Sequence, residues 1–352
     1  MNNLPQKMLA AILVEQNKPL EIDEVYFPSK LSVGQVLVKI YYSGICGSQI
    51  GEIDGVKGHD PYLPHLLGHE GSGKVLATGE GVKHVKKDDH VVLHWMPGLG
   101  IQADPPVYLW KDKRLNAGAV TTFNEYAIVS ENRLTRIPKE FDLELAPLFG
   151  CAVTTGLGIV NNNANIKIGE SVVVFGAGGV GLNVIQGAAM VSANPIIAID
   201  IYDQKLEFAR QFGATHTINA NTDDTINQIF SIVPGGVDYV IENTGNINNI
   251  ESSYHVTSST GKVVLVGVPK KDKKINIYTL PLHFGKKIEG SKGGDTLPHQ
   301  DISRYIRLFN DGKLELKCLI TDYFSLMDIN VAIEKMRIGQ IKGRCLIRIS
   351  HE

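Results

Sequence analysis

The feature that most constrains the fold is a glycine-rich turn between an apolar strand pattern and a helix pattern. Val172–Phe175 is a continuous apolar run of strand length, and glycines lead directly from it into a helix-like segment from Val180 to Ala193. Ile196–Asp200 repeats the buried-strand pattern. Strands that alternate with helices are typical of βαβ units with a parallel sheet covered on both faces. This stretch therefore predicts a doubly wound α/β fold.

The glycines of this turn have the spacing G-x-G-x-x-G, at Gly176, Gly178 and Gly181. The first permits a tight turn, the second lets the backbone approach a pyrophosphate, and the third allows the helix to pack closely on the strand. The helix N-terminus then offers unpaired N–H groups to the anion. The predicted dinucleotide-binding residues of this segment are Gly176, Gly178, Gly179, Val180 and Gly181.

Asp200 indicates which dinucleotide binds. It ends the next strand, nineteen residues after Gly181, where its carboxylate can accept hydrogen bonds from the ribose hydroxyls and would repel a 2′-phosphate. We therefore expect NAD rather than NADP. Lys205, about one helical turn further on, is a second candidate for the ribose, although a solvated helix lysine is an equal alternative.

The remainder of the chain has a different character. A chain of 352 residues exceeds an ordinary single domain. Its N-terminal part shows short strand patterns separated by Gly, Asp and Pro clusters, and its C-terminal part mixes helix patterns with a closing strand. We expect a cofactor domain of the Rossmann type at residues 153–290. It would be inserted into a β-rich catalytic domain formed by residues 1–152 and 291–352.

Composition excludes several classes of partner. Charged residues make up 20% of the chain, the net charge is −2 and the signs are interspersed, so bulk charge predicts no nucleic-acid or membrane-surface partner. The apolar run Met8–Val14 is too short to span a bilayer and lacks a cleavage-site pattern. We expect a cytoplasmic protein, in which four widely separated cysteines are typical of free or metal-bound thiols.

Two of these cysteines and one histidine stand in glycine-flanked motifs. Cys46 lies in G-I-C-G-S, His69 in G-H-E and Cys151 in F-G-C. Two thiolates and an imidazole with an open fourth position make a catalytic zinc site. Their long separation is a weak signal by itself, because a lone buried Cys or His is usually a core residue.

The flanking motifs resemble those of the medium-chain dehydrogenase/reductase superfamily, and within it the zinc-containing alcohol dehydrogenases. The signature G-H-E-x-x-G-x5-G-x-x-V is matched by Gly68, His69, Glu70, Gly73, Gly79 and Val82. The family's other motifs follow in order at 150–156, 176–181, 266–269 and 343–344. The resemblance implies a GroES-like catalytic domain with an inserted Rossmann domain.

The resemblance also implies roles for single residues. Cys46, His69 and Cys151 would be the ligands of one catalytic zinc ion per chain. Glu70 would approach the metal during ligand exchange, and Ser48 would take the proton of the alcohol. Thr155, Val180, Val266, Gly267 and Val268 would line the nicotinamide site. Arg344 would contact the pyrophosphate, a role suited to a bidentate cation.

The chain departs from the family pattern at three places. No cysteine lies between Trp95 and Thr121, so we expect no structural zinc in this lobe, which either packs by other means, the alternative we favour, or shapes substrate access. Gln49 replaces the acid that accepts a hydrogen bond from the ligating histidine, which predicts lower zinc affinity. Gly51 replaces a histidine of the proton relay.

The sequence thus predicts an NAD-dependent zinc alcohol dehydrogenase, which transfers a hydride between a primary or secondary alcohol and NAD with Ser48 as the proton relay. Lys111 and Arg114 hint at a polyol or sugar-type alcohol. One alternative is a zinc-free quinone or enone reductase of the same superfamily, and a remote one is a non-catalytic dinucleotide-binding protein. We expect a homodimer or homotetramer, formed through strand Lys262–Val268 and segment Lys274–Tyr278 at a sheet edge.

Overall fold

The computed structural model describes residues 5–350. These residues form eighteen strands, numbered in chain order: β1 (Lys7–Leu13), β2 (Glu21–Tyr26), β3 (Gln35–Gly44), β4 (His65–Leu66), β5 (Gly71–Thr78), β6 (His90–Leu93), β7 (Tyr108–Trp110), β8 (Lys113–Leu115), β9 (Tyr126–Ser130), β10 (Leu134–Ile137), β11 (Val172–Phe175), β12 (Ile196–Asp200), β13 (His216–Asn219), β14 (Val237–Glu242), β15 (Thr257–Leu265), β16 (Lys287–Gly290), β17 (Ile320–Ser325) and β18 (Arg344–Arg348).

Eight α-helices accompany them in the described part of the chain: α1 (Gly47–Ile53), α2 (Ala152–Gly158), α3 (Gly179–Met190), α4 (Asp203–Gln211), α5 (Thr225–Ile232), α6 (Ile247–Val256), α7 (Pro298–Asn310) and α8 (Ile329–Arg337). A π-helical turn, Ile159–Ala164, continues α2. None of the helices within residues 5–350 is long and apolar enough to cross a bilayer.

The chain forms two compact units. The first runs to Cys151 and resumes at Leu297–Gly312 and again from Leu316 onward. The second comprises Ala152–Thr296 together with Lys313–Glu315. The structural division thus falls one residue before the expected first boundary, and six residues after the expected second one.

The first unit is built on two sheets. One has the strand order β4-β1-β2-β7-β8, and the other has the order β10-β6-β5-β3-β18-β17, with β9 also paired to β3. Antiparallel pairing of β3 with β5 joins the long strand that leads toward Cys46 to the strand that follows Glu70. The side chains at alternate positions of β3, such as Val36, Val38 and Ile40, are buried in an apolar core of this unit.

The lobe between Trp95 and Thr121 packs into a second apolar cluster of the first unit. Tyr108 and Trp110 are buried in one cluster with Met8 and Ile12 of β1. Trp110 Nε1 donates to Asp23 at 2.9 Å, and the Tyr108 hydroxyl accepts the Ile128 N–H at 2.9 Å. Buried aromatic side chains with satisfied polar ends stabilise such a lobe, which supports the alternative that it packs by other means.

The second unit is a six-stranded sheet with the order β13-β12-β11-β14-β15-β16, in which every pairing is parallel. This order is that of the Rossmann dinucleotide-binding fold, so the predicted doubly wound sheet is confirmed. The four residues of β11 are all buried, as a strand covered on both faces requires.

The prediction that strand Lys262–Val268 and segment Lys274–Tyr278 lie at an edge of this sheet is wrong. Strand β15 lies inside the sheet, between β14 and β16, and segment 274–278 forms no strand. The edge is β16, whose sequence Lys-Ile-Glu-Gly holds a single large apolar residue. A strand so short and polar gives no periodic signal, which is why sequence patterning passed over it.

Candidate metal centre and cofactor site

Three predicted metal ligands converge in the first unit. The ligand atoms of Cys46, His69 and Cys151 all lie within 4.8 Å of one another, and the two sulfur atoms are 3.9 Å apart. Two sulfur ligands at about 2.3 Å from one tetrahedral zinc ion would lie about 3.8 Å apart. The donor set and its spacing therefore fit zinc.

Each ligand is held by a different element. Cys46 is the N-cap residue of α1, and His69 follows Gly68, whose φ of +89° favours glycine. Cys151 follows Gly150, where a Cβ atom would lie 2.5 Å from the carbonyl oxygen of Leu93. Glycines beside the ligands thus permit turns and close approaches that bring them together, which explains the glycine-flanked motifs.

The thiols of Cys46 and Cys151 have pKa values shifted in opposite directions. Cys151 Sγ donates a hydrogen bond to Cys46 Sγ, which lowers the pKa of Cys46 well below its ordinary value, with help from His69 and Arg344. The same hydrogen bond and burial raise the pKa of Cys151. Burial lowers the pKa of His69, but the nearby Cys46 sulfur outweighs burial and the net shift is upward. Cys46 is therefore the first thiolate of the group.

Only one of the two ring nitrogens of His69 has a hydrogen-bond partner within residues 5–350. Its Nδ1 contacts the amide nitrogen of Gln49 in a short hydrogen bond, and its Nε2 is buried with no hydrogen-bond partner in the described part of the chain. The indole ring of Trp95 lies 6.3 Å away, centroid to centroid. An orphaned buried nitrogen beside two sulfur atoms is what a metal ligand shows in the absence of the ion.

Behind this group, Glu70 forms an ion pair with Arg344. Both side chains are buried, at 0% and 4% exposure. Burial raises the pKa of Glu70, although the guanidinium opposes that shift. One carboxylate oxygen of Glu70 and Nε of Arg344 have no hydrogen-bond partner among residues 5–350. The pair was not foreseen from the sequence.

The remaining polar positions near α1 differ in exposure. Ser48 lies in the first turn of α1 and is exposed. At Gly51, a Cβ atom would contact only the side chain of Val56, at 3.6 Å.

A second group with metal-ligand geometry, formed by Glu52, Asp60 and His65, also lies in the described chain. Its histidine Nε2 is 2.9 Å from Asp60, so an ordinary hydrogen bond explains the group.

The predicted cofactor residues meet at the carboxyl edge of the parallel sheet in the second unit. Gly176 follows β11 with φ of +89°, and Gly178 is the N-cap of α3. At Gly181, a Cβ atom would lie 1.9 Å from the Gly176 carbonyl oxygen. These positions match the roles inferred for the three glycines: turn, open approach and close packing. Gly179 and Val180 form the first turn of α3.

Asp200 stands at the end of the neighbouring strand β12. Its carboxylate accepts the N–H of Ala177 at 2.9 Å and that of Ile201 at 2.8 Å. The side chain is therefore anchored beside the glycine turn, where a ribose would lie in a Rossmann domain. Lys205, on α4, has its Nζ atom 5.1 Å from the ring centroid of Tyr202.

Other predicted nicotinamide-site residues are placed on two elements of the same unit. Val266, Gly267 and Val268 follow β15, and the first two donate their N–H groups to Glu242 O. Thr155 lies on α2, buried, and its hydroxyl has no partner among the described residues.

Sequence patterning passed over Asn243. It follows β14 at the same sheet edge, and its buried Oδ1 atom has no hydrogen-bond partner within residues 5–350. The signal available was its position directly after a buried strand, since ligands of open α/β sheets bind at carboxyl strand ends.

The side chains that hinted at a polyol are engaged elsewhere. Lys111 Nζ donates to Glu21 at 3.0 Å and lies 4.1 Å from the ring centroid of Trp110. Arg114 Nε donates to Asn116 Oδ1 at 3.0 Å. Both interactions are contacts at the protein surface, so the structure gives no support to this hint.

Comparison with known protein families gives two matches. Residues 32–139 match the alcohol dehydrogenase GroES-like domain, and residues 179–311 match the zinc-binding dehydrogenase family. The first match covers Cys46, His69 and Glu70, and the second begins within the glycine-rich turn.

Relatives of similar length show the same family. The chain is 33% identical to the S-(hydroxymethyl)glutathione dehydrogenase of Photobacterium damsela subsp. piscicida, covering 95% of this chain and 98% of that protein. It is 30% identical to the S-(hydroxymethyl)glutathione dehydrogenase of Paracoccus denitrificans, covering 94% and 97% respectively.

Solved structures agree. Benzyl alcohol dehydrogenase from Acinetobacter calcoaceticus matches with a TM-score of 0.88 and 28% identity, over 98% of this chain and all of that one. An alcohol dehydrogenase zinc-binding domain protein from Burkholderia ambifaria matches with a TM-score of 0.89 and 29% identity, over 98% and 99%. The chain therefore belongs to the zinc-binding alcohol dehydrogenase family of the medium-chain dehydrogenase/reductase superfamily.

Proposed function

We propose that this protein is an NAD-dependent dehydrogenase of primary or secondary alcohols with one catalytic zinc ion per chain. The observation that carries the proposal is the convergence of Cys46, His69 and Cys151 within 4.8 Å. A zinc-free quinone or enone reductase has no use for two thiols and an orphaned imidazole nitrogen in one group. The metal-dependent reaction is therefore the better supported one.

Zinc would be held by Cys46 Sγ, His69 Nε2 and Cys151 Sγ. When bound, zinc polarises the oxygen of the alcohol or carbonyl, and the nicotinamide accepts or returns the hydride. The low pKa of Cys46 supplies one thiolate before the metal arrives, and Cys151 loses its proton on binding.

Ser48 would manage the proton of the substrate. It lies two residues after Cys46 in the first turn of α1 and is exposed. Its Oγ atom can accept the proton of the alcohol and donate its own to solvent, which moves one net proton outward. In carbonyl reduction the direction reverses. Since Gly51 carries no side chain, water would take the place of a further relay residue.

The second unit would bind NAD. The turn from Gly176 to Gly181 leaves room for a pyrophosphate because a Cβ atom at Gly178 would meet nothing within 4 Å. The anchored carboxylate of Asp200 favours the unphosphorylated ribose. Thr155, Val266, Gly267 and Val268 are the candidates for the nicotinamide side. Arg344, expected at the pyrophosphate, is instead buried in its ion pair with Glu70.

For the substrate we propose a primary alcohol. The relatives at 30–33% identity are named for S-(hydroxymethyl)glutathione, and a structural neighbour at 28% identity is named for benzyl alcohol. The hint of a polyol has no support from the structure, because Lys111 is paired with Glu21 and Arg114 with Asn116 at the protein surface.

The test is NAD reduction with a panel of ethanol, benzyl alcohol, S-(hydroxymethyl)glutathione and a polyol. We expect NADH with at least one primary alcohol, and a fall in kcat of about 10²- to 10⁴-fold in Ser48→Ala, with Ser48→Thr retaining activity. Oxidation of NADH by quinones or enones, but no activity with any alcohol or aldehyde, would favour the zinc-free alternative. Tight NAD binding without any turnover would favour the non-catalytic one.

We also propose that the protein is a cytoplasmic homodimer or homotetramer. Reduced thiols at a metal site suit a reducing compartment. Strand β16 ends its sheet, and the segment before it exposes Tyr278 at 70% and Phe284 at 72%. A second copy could cover that edge and these rings. Light scattering should show a dimer or tetramer for the native chain and a smaller mass for a variant with Tyr278→Glu and Phe284→Glu.

A further inference from the structure

The amide of Gln49 lies between two groups of the proposed metal centre. Its Oε1 atom accepts the backbone N–H of Cys46 at 2.8 Å, and its Nε2 atom contacts His69 Nδ1. Gln49 is only 2% exposed, so bulk water does not compete for either contact. Both partners of the amide are thus fixed by the protein.

The orientation of this amide follows from its partners. A primary amide has one acceptor oxygen and one donor nitrogen. If the amide were flipped, its NH2 group would face the Cys46 N–H, and two donors would meet in a buried place. The observed orientation avoids this, and it presents an N–H donor to His69 Nδ1. The ring of His69 must then accept at Nδ1, and its proton lies on Nε2.

That arrangement opposes metal binding. Zinc takes a lone pair, and Nε2 is the ring nitrogen that lies near the two cysteine sulfurs without a hydrogen-bond partner in the described chain. To bind zinc there, the ring proton must leave Nε2 and a proton must occupy Nδ1. That Nδ1–H would face the NH2 group of Gln49. A flip of the amide would relieve this clash, but it would leave the Cys46 N–H without an acceptor.

We propose that Gln49 is a positioning residue that holds His69 in the tautomer unsuited to zinc, and thereby weakens zinc binding at this centre. The inference rests on the proposed zinc function. A carboxylate at position 49 would accept hydrogen bonds from both the Cys46 N–H and a His69 Nδ1–H. The amide of Gln49 has one acceptor oxygen, which accepts only the Cys46 N–H. The zinc of this protein is therefore bound less tightly than the same three ligands allow.

Gln49→Glu tests this directly, because it replaces the NH2 group by an oxygen and keeps the length of the side chain. Metal-free protein is titrated with zinc in competition with a chromogenic chelator. We expect the variant to bind zinc about 10- to 100-fold more tightly than the native chain, the range typical of hydrogen-bond partners of metal ligands.

The control for added charge is Gly47→Asp. It places a carboxylate next to Cys46, at a position where a Cβ atom meets nothing within 4 Å. We expect a smaller gain in zinc affinity from this variant, because its carboxylate is not placed on His69 Nδ1. A gain equal to that of Gln49→Glu would overturn the inference, since charge alone would then explain the effect.

A second readout needs no metal. Nitrogen-15 NMR of the metal-free native chain should show His69 protonated at Nε2 and not at Nδ1, and Gln49→Glu should protonate Nδ1. A native ring protonated at Nδ1, or equal zinc affinities of the native and Gln49→Glu proteins, would overturn the inference alone. Zinc binding to neither protein would overturn the proposed function and the inference with it.

Discussion

The carboxylate of Glu70 is fully buried and pairs with the guanidinium of Arg344, which lies 274 residues further along the chain. The pair joins the segment that carries His69 to the closing strand β18. Removing one partner of a buried ion pair leaves an uncompensated charge, and this typically costs far more than the pair contributes. The ion pair thus couples two distant segments of the first unit behind the proposed metal centre.

Arg344→Met should therefore lower the free energy of unfolding by about 3–5 kcal/mol. Urea denaturation followed by circular dichroism measures it. The matched control is Arg337→Met, which breaks the partly exposed pair with Asp54 and should cost at most about 1 kcal/mol. Equal losses of unfolding free energy in the two variants would show that burial of Glu70 is not the cause of the destabilisation.

The glycine-rich turn allows a test that separates folding from binding. Gly181→Ala would place a Cβ atom 1.9 Å from the Gly176 carbonyl oxygen, and we expect a loss of at least about 1–3 kcal/mol in unfolding free energy. Gly178→Ala meets nothing within 4 Å and should fold normally. It should weaken NAD binding roughly tenfold or more, because the new methyl group occupies the approach of the pyrophosphate.

Calorimetry of binding and thermal unfolding of both variants check this pair of predictions. Unchanged NAD affinity in a stable Gly178→Ala protein would contradict the placement of the cofactor.

Such local features were predictable from the sequence. The strand, glycine turn, helix and Asp200 lie within 30 residues of one another, so their pattern is visible without the fold. Long-range pairs such as Glu70 with Arg344 were not predictable, because their proximity depends on how distant strands pair. The two contacts of the Gln49 amide also depend on side-chain orientation, which residue type alone does not show. Strand β16 was missed because it is short and polar.

Asp200 should determine the preference between cofactors. Asp200→Asn removes the charge that would repel a 2′-phosphate and weakens the hydrogen bonds to the ribose. We expect the ratio of kcat/KM for NAD to that for NADP to fall by roughly 10- to 100-fold, as for the loss of a charged hydrogen bond. Steady-state kinetics with both cofactors measures the ratio. A ratio unchanged in a variant of native thermal stability would exclude this role for Asp200.

His94 should make the stability of the protein depend on pH. It is buried, its Nδ1 lies 2.7 Å from Met96 O and its Nε2 lies 2.9 Å from Thr135 Oγ1. Burial lowers its pKa from 6.5 to about 4. Since the unfolded chain takes up this proton first, the contribution of His94 is complete above pH 6.5 and is lost as the pH falls toward 4.

The loss attributable to His94 should reach roughly 3 kcal/mol at pH 4. Urea unfolding of the native chain and of His94→Gln measures it between roughly pH 8 and pH 4, a range that includes both pKa values. The variant should show a shallower decline in stability on acidification, whatever its stability at pH 8. Parallel curves for the two proteins would rule out His94 as the titrating group.

The most direct test of the proposed function is the zinc content of the purified protein, measured by inductively coupled plasma mass spectrometry after dialysis without a chelator. The three converging ligands predict about one zinc ion per chain, and Cys151→Ser should lose that zinc while it keeps the ability to bind NAD. A native protein without zinc after expression with added metal would contradict the account, and so would a Cys151→Ser protein that retains it.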